Sequence, residues 1–385
     1  MAPRETVERS DDGPAAALRE RLAAVADPSG FIPFDRFMET ALYADGVGYY
    51  ARSGGPLGPS GDFYTAPHVD PLFGESLARR LRSVRATLPR PERFRVVELG
   101  PGDGTLAASV ITGLRPAEGI PPVDYVLVER SPGLRARARE HARASAERTG
   151  GSVEVADSLA ALGPVQGAVI ANEFLDAQPA RRLQWSGHGW AELGVRLEGG
   201  RVVPAQAPVT EPVPGPPLPR ADEPGTVVEV SPAAEAAVRE IADHLAAGLC
   251  VLIDYGMDEP ELLAAHPRGT LEAVRGHRSL PDPLEAPGQA DLSAFVNFRR
   301  IRAAARAAGL VEVAFERQAE ALGRWGFPVL LEEALRTAPS PAEAVRRRLA
   351  AKNLLFGFDR FQVLELAAAA SAPALVISPG EEDRA

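Results

Sequence analysis

Apolar positions along this chain fall into two regimes. Up to about residue 94 they recur at helical spacing: Leu18, Leu22 and Val25; Phe34, Phe37, Met38, Ala41 and Leu42; and Leu72, Phe73, Leu77, Leu81 and Val84. From Arg95 onward short apolar runs alternate with helical stretches. The runs predict strands at 95–99, 124–129, 153–156, 167–172 and 249–254, with helices at 104–114, 132–148 and 232–247. Asp70-Pro71 and Ser131-Pro132 are strong helix starts, because a capping oxygen precedes a residue whose φ already suits a helix. Alternating strands and helices imply an α/β fold with a doubly wound, mostly parallel, Rossmann-like sheet behind an N-terminal helical cap.

The alternation is interrupted at 181–230, where 182–185, 190–197 and 201–203 read as inserted β-hairpin strands. Eight prolines between Pro204 and Pro224 then predict an extended loop. Residues 255–298 read as mostly irregular, 298–308 as a helix, and 310–316 and 373–378 as strands that finish the sheet. The resulting organisation is a disordered tail over 1–14, a helical cap over 15–94, and one large domain over 95–385 with insertions at 181–230 and 255–298.

The segment Val96-Val97-Glu98-Leu99-Gly100-Pro101-Gly102-Asp103-Gly104-Thr105 carries the most chemistry. A buried strand ends in an acidic residue, and three glycines at alternate positions open a helix, so the backbone can take positive φ and approach a ligand. The spacing E-x-G-x-G-x-G is that of an S-adenosylmethionine (SAM) loop, in which Gly100, Gly102 and Gly104 form the cradle. Gly102-x-Gly104-x-x-Ala107 also fits a dinucleotide loop. Glu98 favours the first reading, since it would meet a cationic amino-acid moiety rather than a pyrophosphate. A plain tight strand–helix turn is the third.

Ligands of such sheets lie beyond the carboxyl ends of the strands. There Glu129 could accept both hydroxyls of a ribose, and Asp157 could take the adenine amino group or simply cap a helix. Asn172-Glu173-Phe174-Leu175-Asp176 leaves the fourth strand abruptly. Glu173 and Asp176 could face one side and orient a guanidinium or amine through charge-assisted bonds. Asp254-Tyr255-Gly256 ends the fifth strand in a similar place. Arg275-Gly276-His277-Arg278 and Asp291 lie in the irregular stretch, where His277 is either a base or a loop staple. His68 carries the same ambiguity.

Composition narrows the partners. A chain of 385 residues with net charge −10 disfavours nucleic acid, which needs a surplus of Lys and Arg. The single cysteine, Cys250, sits in an apolar run, so no internal disulfide or thiol zinc site is expected, nor does any His/Asp/Glu spacing suggest a metal. No apolar run reaches the length of a membrane span, and a soluble, cytoplasmic protein without a membrane partner is expected.

Several blocks together resemble the MidA-like family of SAM-dependent class I methyltransferases, which has mitochondrial members. They are Phe37-Met38-Glu39-x-Ala41-Leu42-Tyr43 with Gly48-Tyr49-Tyr50, Gly61-Asp62-Phe63-Tyr64-Thr65-Ala66-Pro67, and Pro71-Leu72-Phe73-Gly74-Glu75. The glycine loop, Val128-Glu129-x-Ser131-Pro132, Ala171-Asn172-Glu173-Phe174-x-Asp176-Ala177-x-Pro179, Ile253-Asp254-Tyr255-Gly256, and Arg275-Gly276-His277 with Ala290-Asp291-Leu292 complete the set. The resemblance implies S-adenosyl-L-methionine as cofactor and methylation of an arginine side chain on a partner protein. It implies that the loop holding Gly61, Asp62, Phe63 and Thr65 covers the cofactor together with the N-terminal helices, and that Glu173 and Asp176 lie near the acceptor; Asn172 is a candidate cofactor residue and His277 a candidate catalytic one. Two departures, Pro67-His68-Val69-Asp70 and Asn297-Phe298, fall on the presumed acceptor side. A methyltransferase of a small metabolite, with His68 or His277 as base, is the alternative; a non-catalytic assembly protein comes third. A homodimer is compatible with the sequence.

Overall fold

The computed structural model describes residues 12–51, 65–115 and 121–375. The expected tail therefore lies largely outside the described residues, as do Gly61, Asp62 and Phe63. After α1 (Asp12–Ala24), α2 (Phe34–Tyr43) and α3 (Leu72–Thr87), the chain enters a sheet through β1 (Arg95–Leu99), α4 (Thr105–Gly113) and β2 (Asp124–Val128). It continues through α5 (Pro132–Thr149), β3 (Ser152–Ala156) and β4 (Val165–Asn172). An antiparallel insertion follows, made of β5 (Arg181–Trp185), β6 (Trp190–Glu198), β7 (Arg201–Pro208) and β8 (Val227–Val230). The chain returns through α6 (Pro232–His244) and β9 (Leu245–Met257).

The stretch expected to be irregular contains α7 (Glu259–Ala265) and a small antiparallel sheet of β10 (Glu272–Arg275), β11 (Arg278–Ser279) and β12 (Asp291–Ser293). Next come α8 (Phe298–Ala307), β13 (Val311–Arg317), α9 (Gln318–Arg324), α10 (Phe327–Arg336), α11 (Pro341–Phe356) and β14 (Phe361–Ala367).

The central sheet runs in the order β13-β14-β9-β4-β1-β2-β3. Strands β1 to β4 and β9 are parallel, and β14 pairs antiparallel with both β9 and β13. Side-chain alternation assigns the two faces. Val96, Leu127 and Ile170 pack under Phe73 and Leu77 of α3 and Val110 of α4, while Val97, Val126 and Val169 pack under Val238 of α6 and Ile301 of α8. Both faces are thus covered, as an all-parallel core requires.

Two expectations are corrected. The final described strand is Phe361–Ala367, and Ala372–Leu375, which overlaps the start of the expected strand 373–378, is helical, the rest of that stretch lying outside the described residues. Glu365 interrupts the apolar run of β14, yet it is buried because Arg80, Arg324 and the Trp325 indole all donate to it. The third insertion strand also runs through Pro204 to Pro208 instead of stopping at 203. Strand β7 pairs with β6 alone, so its prolines need no N–H on the open side.

Candidate active site

Strands β1, β2, β4 and β9 end at one edge. Leu99 pairs with Val128 and with Ala171, and Asn172 pairs with Ile253. The segments leaving β1, β2, β3 and β4 surround a cavity of about 490 Å3. Its floor is the glycine loop, where Gly100, Gly102 and Gly104 have φ of +61°, +58° and +84°. A Cβ on Gly104 would lie 2.6 Å from the carbonyl oxygen of Ala138 in α5, so this turn needs glycine for space as well as conformation. Asp103 shapes the loop by accepting from the Thr105 N–H at 3.0 Å. His68 Nε2 lies 3.1 Å from the same carboxylate, and His68 Nδ1 lies 2.8 Å from the Thr65 hydroxyl. Burial works against ionisation of Asp103, but the bonds from His68 and Thr105 outweigh it and hold its pKa low.

Glu98 lines this cavity from deep in the sheet and accepts the Tyr125 hydroxyl at 2.6 Å. Burial pushes its pKa up to about 7, against the opposing Tyr125 bond. Glu129 accepts the Ser131 N–H at 2.7 Å, and burial raises its pKa as well. Asp157 is exposed on the rim. Asn172 donates to Glu173 at 3.2 Å, while its own carbonyl Oδ1 is buried without a partner among the described residues. An unmet acceptor, a glycine cradle and strand-end carboxylates facing the cavity fit a ligand with amino-acid, ribose and base parts. Tyr43 closes the other side, its hydroxyl donating to the Ala177 carbonyl at 2.8 Å and its ring lying 3.4 Å beneath the Arg130 guanidinium.

A second cavity of similar volume, about 490 Å3, shares Tyr50, Thr65 and Glu173 with the first. Glu173 has a left-handed backbone, φ +51°, which a non-glycine residue adopts only under constraint. The constraint is Asp254, whose Oδ2 accepts the N–H groups of Phe174, Leu175 and Asp176 at 3.2, 2.8 and 3.3 Å. Burial pushes Glu173 up to about 8, and the charges of Asp176 and Asp291 add to it. Burial also raises Asp176, whose Oδ1 has no partner among the described residues. Across the cavity Asp291 accepts the Tyr50 hydroxyl at 2.8 Å.

Most of the residues singled out in the sequence thus converge on these cavities: Glu98, Gly100, Gly102, Glu129, Asp157 and Asn172 on the first, Asp176 on the second, Thr65 and Glu173 on both, while Gly104 packs behind the loop against Ala138. His277 is not among them. It sits, exposed and at φ +59°, in the two-residue turn between β10 and β11 and lines neither cavity. Nor do the two departures from the family pattern lie at the second cavity: His68 lines the first, and Asn297 caps α8 by accepting from Arg300 N–H at 3.3 Å. Asp103, Tyr43, Tyr50 and Tyr125 were not singled out for the site. Asp103 occupies a variable position of the glycine motif, and the tyrosines carry no local pattern that separates them from core aromatics.

Residues 76–315 match the model of the family described as "Putative S-adenosyl-L-methionine-dependent methyltransferase". The chain belongs to this family. It is similar to a solved Burkholderia thailandensis protein titled a "likely methyl transferase" and bound to S-adenosyl-homocysteine, at 33% identity and TM-score 0.81 over 92% of this chain and 93% of that one. Curated relatives include "Protein arginine methyltransferase NDUFAF7, mitochondrial" of Danio rerio, 28% identical over 74% of this chain and 71% of its own. The Drosophila melanogaster homologue of that name is 29% identical over 80% and 75%. The resemblance seen in the motif blocks, the fold class and S-adenosyl-L-methionine as cofactor are thereby borne out. S-adenosyl-L-methionine, not a nicotinamide, is thus the cofactor of this methyltransferase.

Proposed function

We propose that this methyltransferase modifies an arginine side chain of a partner protein. The observation that carries the reading is Glu173, a half-buried carboxylate common to both cavities, with the buried Asp176 behind it. Glu98 and the glycine loop would hold the amino-acid end of the cofactor, Glu129 the ribose, and Asp157 the base. Bound S-adenosyl-L-methionine supplies the methyl group and leaves as the thioether, while the acceptor nitrogen gives up one proton.

Glu173 and Asp176 do the rest of the work at the acceptor. Arginine is too weak an acid to be deprotonated beforehand, so the carboxylates orient the guanidinium and stabilise charge as the new bond forms. The raised pKa of Glu173 also suits it to take the released proton near neutral pH. Positioning of the two reactants accounts for most of the remaining acceleration. The names of the arginine methyltransferase relatives favour the same acceptor. The metabolite alternative relied on His68 or His277 as base, and neither lines the second cavity.

Incubation with methyl-labelled cofactor and lysate of the source organism, followed by separation by size, tests the reading. Label in a protein band that yields methylarginine on acid hydrolysis is expected; label confined to small molecules would overturn it. No helix among the described residues is long and apolar enough to cross a membrane. A cytoplasmic location is part of this proposal and rests on composition alone, since the named relatives are mitochondrial.

A further inference from the structure

The second cavity is more acidic than Glu173 and Asp176 alone would make it. Its described lining carries five carboxylates, those of Glu173, Asp176, Glu272, Asp291 and Asp359, against the single guanidinium of Arg360. Arg360 is directed at an aromatic ring, lying 5.9 Å over Phe295. Asp176 and Asp291 are 8% and 5% exposed, so water does little to screen them. Like charges gathered in one cavity repel one another, and a bound cation would relieve them. Among the described residues nothing bonds to Oδ1 of Asp176, which leaves an acceptor for such a cation.

We propose that this cavity binds a cationic guanidinium, and that Asp291, fixed by Tyr50, is a specificity-determining carboxylate of the acceptor site. The proposal rests on the arginine reading and extends it to residues outside the Glu173–Asp176 turn. Of Glu173, Asp176 and Asp291 only Glu173 also lines the cofactor cavity, so it stands beside the nitrogen that reacts. Asp176 and Asp291 come from β4's exit turn and from β12, and they hold the nitrogens that do not react. A planar guanidinium offers five N–H donors spread around its rim and can bond to carboxylates on several sides; an ammonium is a point charge. Phe295 and Tyr255, whose rings meet edge to face at 5.1 Å, add an aromatic wall suited to a delocalised cation.

Tyr50 gives Asp291 its position. Its hydroxyl donates to the carboxylate, its ring stacks on Tyr43 at 5.4 Å, and its carbonyl accepts the Ser131 hydroxyl at 2.9 Å. The same tyrosine therefore ties the acceptor wall to the helix start beside Glu129.

The test is calorimetric titration of the full chain, loaded with S-adenosyl-homocysteine, with acetylated pentapeptide amides that differ only at a central arginine, citrulline or lysine. The arginine peptide binds best, and Asp291→Asn weakens it by about tenfold or more while S-adenosyl-homocysteine affinity is kept. Tyr50→Phe, which retains the ring, gives a smaller loss of the same kind. Equal binding of the citrulline or lysine peptide, or no arginine-selective binding by the wild type, overturns the guanidinium site. Unchanged arginine-peptide binding by Asp291→Asn overturns the role of Asp291. Methylarginine recovered from labelled protein alongside either failure leaves the arginine reading standing; its absence removes that reading as well.

Discussion

The two cavities have similar volumes and differ in construction. The first, the proposed cofactor cavity, is assembled largely from segments that each leave a strand of one parallel sheet, so strand register alone brings Gly100, Glu129, Asp157 and Asn172 to a common edge. The second, the proposed acceptor cavity, is gathered from the cap at Tyr50, the turn at Glu173–Asp176, the small sheet at Asp291 and Ser293, and the segment Phe358–Phe361 beyond the last long helix. The first is fixed by backbone and tolerates little change. The second is made of side chains from separate elements, so acceptor choice can change while the cofactor site stays intact.

The largest effect expected is on the acceptor side. Glu173→Gln should reduce single-turnover methyl transfer by about 10²–10³-fold, with cofactor affinity close to that of the wild type. A parallel loss of cofactor binding in titration calorimetry would mean that the cavities are not separable. The backbone nature of the cofactor cavity is tested by Gly104→Val. Its Cβ would meet Ala138 in a left-handed conformation, costing about 2–4 kcal/mol in urea denaturation and most of the cofactor affinity. Glu129→Ala should weaken cofactor binding by about 10–100-fold and leave the acceptor carboxylates unaffected.

The pH dependence sharpens the contrast further. Glu173 keeps its proton up to about pH 8 in the folded protein, against a usual value of 4.5. Between these values the native state binds more protons than the unfolded one, so this group's contribution to stability falls as pH rises and levels off above about 8. Glu173→Gln should remove part of that slope in urea midpoints measured across pH 5 to 9, a range chosen around the cited value. The smallest effect is expected at His277. His277→Ala should change stability by no more than about 0.5 kcal/mol and leave turnover within about twofold, as for an exposed turn residue.

The cofactor end was legible in the sequence because its signals are local. An apolar run followed by glycines, or by a sudden carboxylate, marks a strand and what leaves it, as at Glu98 and Glu129. At the acceptor end a role could be assigned to Glu173 and Asp176, which share one turn, whereas Asp291 stood out without one. Tyr50 and Asp291 are 241 positions apart, and no spacing rule connects them. His277 illustrates the opposite error, a residue in a motif block whose backbone supports a tight turn and places it away from both cavities. In the fold, the elements most easily missed were those whose charges are neutralised by distant partners. Strand β14 is hidden by Glu365, which reads as solvent-facing until Arg80 and Arg324 are brought to it.

The left-handed backbone at Glu173 has an evolutionary consequence. A residue other than glycine is strained there, and its half-buried carboxylate stands among others of the same charge. Glycine at 173 would relieve both burdens, so a chain selected only for thermal robustness would drift toward the substitution that silences it. Durability and methyl transfer pull this one position in opposite directions.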